Sequence, residues 1–258
     1  MRVGVLGSVH ANLPGLRKAL QRLDKAGADP IVCLGDVVGY GPFPCAAVDL
    51  LRERGVEVIQ GNWDRAAGRG RTSPGDSFET VHWERLAERS MEWTAERLTA
   101  SQRRWLSRLP AELRFRVAGR NLLLTHGLPG RQPVELERDL PAEVYDMLLQ
   151  RSGCDVMVSG QSNRMGLVRR PRGLLASPGS VGGGTLPAAA SAMVVEVEPE
   201  GDVSVCWHRV EFDMEEYRRE YDRAGLPEVF LRCVELGRDQ RGPWHTRDTR
   251  RRQQWARR

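Results

Sequence analysis

Five short segments of this 258-residue chain place a side chain with ligand or hydrogen-bonding chemistry directly after an apolar run: Ser8 and His10, Asp36, Asn62 and Asp64, His126, and Gln161 with Asn163. Carboxylate, imidazole and amide oxygen brought to one rim can hold a divalent ion and polarise a phosphoryl oxygen. A carboxylate bridging two ions is also a usual way to make a hydroxide nucleophile for phosphoester hydrolysis. Each signal alone is weak, since a histidine before glycine such as His126 is more often a capped turn residue than a ligand. The argument lies in the joint order of the five.

Leu34 to Gly41 sits at the centre of that order. Ile31-Val32-Cys33-Leu34 reads as a buried strand, and Gly35 and Gly39 let the backbone pass close to whatever Asp36 holds. Before it, residues 2 to 6 read as a strand ending at Ser8 and His10. A helix follows, with Leu13, Leu16, Leu20 and Leu23 on one face, Asn12 as N-cap and Gly27 as stop. After it come a helix from Pro42 to Arg54 and a strand from Val56 to Ile59 that delivers Asn62, Trp63 and Asp64. This βαβαβ rhythm predicts a mostly parallel sheet whose loops open on one rim.

Residues 66 to 77 are rich in Gly, Arg, Ser and Pro and read as an exposed loop; its Arg69 and Arg71, with Arg65, could meet an anion, although a solvated loop is the plainer reading. A helix-rich insert spans about 78–108, with Trp83, Trp93 and Trp105 as packing anchors and Thr99 as a cap. The period then changes. Strands around 113–117, 121–125 and 154–159, with a helix at 141–151 between the last two, deliver His126, Gln161, Ser162 and Asn163. Short strands at 165–169, 173–176, 192–198 and 203–210 predict a second, more antiparallel sheet facing the first, with helices outside. Met214 to Ala224 reads as a helix, and 226–234 as a peripheral element.

The chain is 40% apolar, enough for one sizeable core. A single domain over 1–237 with a basic tail over 238–258 is expected. The net charge of +5 is mostly a tail effect, because residues 241 to 258 hold seven arginines and one aspartate. Nucleic acid is therefore an unfavoured partner. Five scattered cysteines, no signal segment and no long apolar run predict a cytoplasmic protein without disulfide framework, zinc cluster or membrane span. Oligomeric state is not legible.

Over roughly residues 1 to 235, and most closely at Leu34 to Gly41 and Ser177 to Gly182, the chain resembles the calcineurin-like metallophosphoesterases, in particular their compact bacterial phosphodiesterase and protein-phosphatase-like branch. The resemblance implies a four-layer α/β/β/α sandwich of two mixed sheets with a two-metal centre on the rim. It also exposes departures. Where the family's first motif supplies an aspartate and a histidine, this chain has Ser8 and His10. The bridging aspartate is Asp36. Gly-Asn-His-Asp becomes Gly61-Asn62-Trp63-Asp64, so the histidine that protonates the leaving group or contacts phosphate is Trp63. His126 matches the fourth motif, and Gly-His-Thr-His becomes Gly160-Gln161-Ser162-Asn163.

One implied metal position thus reduces to Ser8, His10, Asp36 and Asn163, the other to Asp36, Asn62, His126 and Gln161. Neutral amides neither balance a dication's charge nor match imidazole's affinity. No tightly bound cofactor is expected, with a single divalent metal (Mn, Fe, Zn or Ni) at Asp36, Asn62, His126 and Gln161 as the open alternative and His10 as the remaining candidate metal ligand. Trp63 can only donate a hydrogen bond, which excludes it as an acid, and Asp64 reads as a supporting residue that orients the site. Three readings stand. The first is a pseudo-phosphoesterase binding a phosphorylated small molecule or protein partner through a neutral pocket of Ser8, Gln161, Ser162, Asn163 and the Trp63 face. The second is an enzyme working with one metal. The third is an interaction protein acting through the 66–77 loop and the 241–258 tail.

Overall fold

The computed structural model describes residues 1–130, 140–183 and 186–242. In chain order the elements are β1 (Arg2–Leu6), α1 (Leu13–Lys25), β2 (Ile31–Cys33), α2 (Pro44–Glu53), β3 (Glu57–Val58), α3 (Asn62–Gly68), α4 (Val81–Arg97), α5 (Ala100–Ser107), β4 (Glu112–Val117) and β5 (Arg120–Thr125). They continue with α6 (Ala142–Ser152), β6 (Val156–Ser159), β7 (Met165–Arg170), β8 (Gly173–Pro178), β9 (Ala189–Val197), β10 (Val203–Glu211), α7 (Met214–Ala224) and α8 (Glu228–Leu236).

Two five-stranded mixed sheets result. The first runs β10-β9-β1-β2-β3, the second β4-β5-β6-β8-β7. In the first, β1, β2 and β3 are parallel, while β9 pairs antiparallel with both β1 and β10. In the second, β5, β6 and β8 are parallel, with β4 and β7 added antiparallel at the edges. Parallel central strands need both faces covered, and their apolar runs supply that cover. Val3, Val5, Val32 and Ile59 of the first sheet and the segments around it pack against Leu122, Leu124, Val158 and Leu174 of the second, forming a dry layer between the sheets. On the outer face of the first sheet, Leu16, Leu20 and Leu23 of α1 join Leu51 and Phe230 in the largest core cluster. On the outer face of the second, Tyr145 and Leu149 of α6 pack on Leu123, Met157 and Leu175. The expected four-layer α/β/β/α sandwich is therefore the fold.

Three local expectations need revision. Asn62 starts a helix, and Ala66 and Ala67 lie buried within it, so the irregular segment begins only after Gly68. Residues 226–234 are not peripheral, because α8 sends the fully buried Phe230 onto Tyr40 with ring centroids 4.7 Å apart. The basic tail expected from 238 onward begins inside the fold: Asp239, Gln240 and Arg241 are buried, and Gln240 Nε2 donates to the Gly182 carbonyl at 3.3 Å. The remainder of the expected basic tail, from 243, lies outside the described residues. No described helix is long and apolar enough to cross a membrane.

Candidate functional site

The carboxyl ends of β1, β2, β3, β5 and β6 meet at one rim, and backbone hydrogen bonds stitch their loops together. The amides of Val9 and His10 both donate to the Asp36 carbonyl, at 2.9 and 2.8 Å, and those of Val181 and Gly182 to the Ser8 carbonyl, at 2.9 and 3.0 Å. Ser180 Oγ donates to the same Ser8 carbonyl at 2.9 Å, which gives that serine a supporting role. The amides of Gly160 and Gln161 converge on the His126 carbonyl at 2.9 and 2.7 Å. The turns are tight enough that His10, Asp36, Tyr40 and Asn163 adopt left-handed backbone angles, with φ of 45°, 50°, 55° and 55°. A non-glycine residue in that region costs free energy and persists only where its surroundings over-determine it.

Asp36 is the hub. Its Oδ1 accepts the Trp63 backbone N–H at 3.0 Å, and its Oδ2 lies 3.3 Å from His126 Nε2 and 3.9 Å from His10 Nε2. His126 Nε2 also lies 3.1 Å from Asn62 Oδ1, while its Nδ1 meets the Leu34 carbonyl at 2.6 Å. His10 repeats the pattern more loosely, with Nδ1 3.4 Å from the Val38 carbonyl. Nδ1–H donation to a carbonyl fixes the tautomer and leaves Nε2 facing the carboxylate.

These side chains are buried, so charge here is decided by neighbours. Burial opposes the His126 imidazolium, but Asp36 outweighs it and lifts the pKa to about 9. Burial likewise opposes ionisation of Asp36, yet His126, His10 and the Trp63 amide together hold the carboxyl below its usual range. For His10, burial prevails over Asp36 and the pKa falls. Asp64 accepts the amides of Gly61 and Val37 at 2.9 and 2.8 Å, and so ties the third loop to the second. Burial and the nearby Asp36 push its pKa up to about 7.

The rim brings together Asp36, His10, Asn62, His126 and Gln161, but it uses Trp63 differently from the expected open aromatic surface. Trp63 is 1% exposed, packs 4.2 Å from Tyr40 by ring centroids and lies against Gly39. Its Nε1–H donates at 2.9 Å to Asp76, which lies in the segment expected as a solvated loop. Gln161 Nε2 donates to the other oxygen of the same carboxylate at 3.1 Å, and Asn62 Nδ2 donates to the Pro74 carbonyl at 3.2 Å. The available signal was slight: Asp76 is the sole acid between Asp64 and Glu79. Arg241, expected in the tail, is buried and held by Asp239 at 2.7 Å. Burial raises the pKa of Asp76, and the positive charge of Arg241 opposes that rise.

Ser8 Oγ, Gln161 Oε1 and Asn163 Oδ1 are buried without a hydrogen-bond partner, as is the Tyr40 hydroxyl. Neutral oxygens at these positions leave the first metal position with His10 and Asp36 as its strong donors. Among the described residues no three His, Cys, Asp or Glu side chains are grouped as ion ligands. Asp36, Asn62 and His126 converge, His126 Nε2 lying 3.3 Å from Asp36 Oδ2 and 3.1 Å from Asn62 Oδ1.

The model of the calcineurin-like phosphoesterase superfamily domain matches residues 1–200. An uncharacterised protein of Methanocaldococcus jannaschii is 26% identical over 145 residues, which is 56% of this chain and 56% of that protein, so the match spans little more than half of its length. A hypothetical protein of Pyrococcus horikoshii has a crystal structure that superposes with a TM-score of 0.78 at 21% identity, over 92% of this chain and 99% of that one. The crystal structure of a metallophosphoesterase of Sphaerobacter thermophilus gives 0.71 at 26% identity, over 92% and 99%.

Proposed function

The chain belongs to the calcineurin-like phosphoesterase superfamily, and we propose that it is a pseudo-phosphoesterase, binding a phosphorylated small molecule or partner at the cleft around Asp36 with little or no hydrolysis. The observation that carries this reading is the position of Trp63. It replaces the family's proton-donating histidine, is buried against Tyr40 and Gly39, and spends its one N–H on Asp76. An indole cannot protonate a leaving group. Ser8, Gln161 and Asn163 act in the same direction: the first replaces a carboxylate and removes its charge, the other two replace imidazoles with weaker amide donors, and the loop scaffold is kept.

A divalent metal is the cofactor the family implies, and the second reading uses one ion held by Asp36, Asn62 and His126. It is favoured by the anchoring of His126 Nδ1 on the Leu34 carbonyl, which presents Nε2 as a ligand would be presented. A cytoplasmic setting is supported by five cysteines that are all free.

Purified protein assayed with manganese against a phosphodiester and a phosphoprotein separates the readings. Turnover that is robust and lost in Asp36→Ala overturns the pseudoenzyme; background rates in both proteins support it. Anomalous density between Asp36 and His126 in manganese-soaked crystals identifies the one-ion form.

A further inference from the structure

Trp63 and Gln161 both break the family pattern, and both end on Asp76. The indole N–H reaches Oδ2 at 2.9 Å and the Gln161 amide N–H reaches Oδ1 at 3.1 Å, so one carboxylate is held at both oxygens by two neutral donors. The donors are fixed. Trp63 is wedged between Gly39 and Tyr40, and Gln161, 3% exposed, follows the end of β6. The acceptor is carried differently: Asp76 is half-buried in an irregular segment between α3 and α4, and its neighbours Gly75 and Ser77 are exposed. Close by in the chain's packing, the Glu79 amide donates to the Arg241 carbonyl, and Arg241 is buried and paired with Asp239.

We propose that Trp63 Nε1 and Gln161 Nε2 form an oxyanion pocket in which Asp76 is the resident occupant, and that the carboxylate or phosphoryl group of an incoming ligand binds by displacing it. The inference rests on the reading of this cleft as a ligand-binding one, and adds the class of group that enters and what must leave. The physical reason is that buried N–H donors left without an acceptor cost free energy, so the pocket is always filled by an oxyanion, from the loop or from outside. The two substitutions that weaken metal chemistry thereby acquire one shared purpose.

The test follows the Trp63 indole resonance in ¹H–¹⁵N spectra, assigned with Trp63→Phe, in EDTA so that no divalent metal contributes. Sodium phosphate and sodium acetate are titrated separately into the full-length wild type, Asp76→Ala and Asp76→Asn. With the internal carboxylate removed, the indole resonance of Asp76→Ala is expected to move saturably, with an apparent affinity about tenfold above wild type for at least one anion. Adding Gln161→Leu to Asp76→Ala is expected to abolish the gain. A response to phosphate alone assigns the pocket to phosphoryl groups, to acetate alone to carboxylates, and either supports the proposal. Asp76→Asn, equal in size, keeps the test decisive if Asp76→Ala does not fold, with a gain of about threefold expected from the loss of charge. No gain for either anion in the folded Asp76 variants overturns it. Manganese-dependent turnover would overturn the pseudoenzyme reading without touching this result, and silence in both experiments would remove the pocket alone.

Discussion

His126 presents Nε2 to Asp36 and Asn62, so that edge of the cleft is held together by a proton or by a cation. Without a metal, the pKa of about 9 makes the proton the occupant at neutral pH. The folded value lies above the unfolded 6.5, so the stabilisation from this pair is complete below about pH 6.5 and is lost as pH rises through about 9. The difference in unfolding free energy between wild type and His126→Asn, measured in urea with EDTA, is expected to be a few kcal/mol at pH 6 and to shrink markedly by pH 10. A difference that stays constant with pH would show that the imidazole is not charged in the fold. Gly39 makes a second residue-level case. Its φ is +93°, and an added Cβ would stand 2.1 Å from the Trp63 ring, so Gly39→Ala is expected to cost about 3 kcal/mol or more in urea denaturation. The positions of Asp36 and His126 were legible because strand ends announce them. The burial of Trp63 was not, because nothing in a linear pattern tells an aromatic side chain at a loop whether it faces ligand or core.

At the scale of elements, periodicity and caps carried the reading. Asn12 was read as the cap of α1, and its Oδ1 accepts the Gly15 amide at 3.0 Å. Its Nδ2 also donates to the Val181 carbonyl at 3.0 Å, joining the helix start to the 177–182 turn across the rim. Asn12→Ala therefore removes a cap and leaves a buried carbonyl unserved, and is expected to lower stability by about 2 kcal/mol, toward the upper end for a lost cap. A loss of only a few tenths in urea denaturation would show that the bridge to Val181 contributes nothing. The start of α3 at Asn62 was missed for a related reason. Its first turn is fixed by the Asp64 carboxylate on the Gly61 and Val37 amides, and half of that arrangement comes from the Asp36 loop, which lies far away in sequence. Local capping can be read from neighbours in the chain, whereas a cap shared between two loops can be recognised only once the sheet has brought them together.

At the scale of the whole molecule, the sandwich closes its own cleft with two pieces that the sequence placed at its margins. The segment after α3 contributes Asp76, and the end of the described chain contributes Arg241. Both were read from composition, as a Gly/Arg/Ser/Pro loop and an arginine-rich tail, and composition describes solvation better than it describes docking. The C-terminal piece is tied down by Arg241 and Asp239, whose side chains are 7% and 3% exposed and meet at 2.7 and 3.0 Å. Removing one partner of a buried, doubly hydrogen-bonded pair leaves the other charge less well compensated, at a cost of about 3 kcal/mol. Asp239→Ala is therefore expected to destabilise the whole domain by about that much in urea denaturation. The same substitution removes one hold on the guanidinium whose charge acts on Asp76, so hydrogen exchange at the amides of residues 74–77 and 239–242 is expected to rise together and ahead of global unfolding. If the tail were only an appendage to an independently complete sandwich, exchange at 239–242 would rise alone, and the rim loops would keep the protection of the wild type.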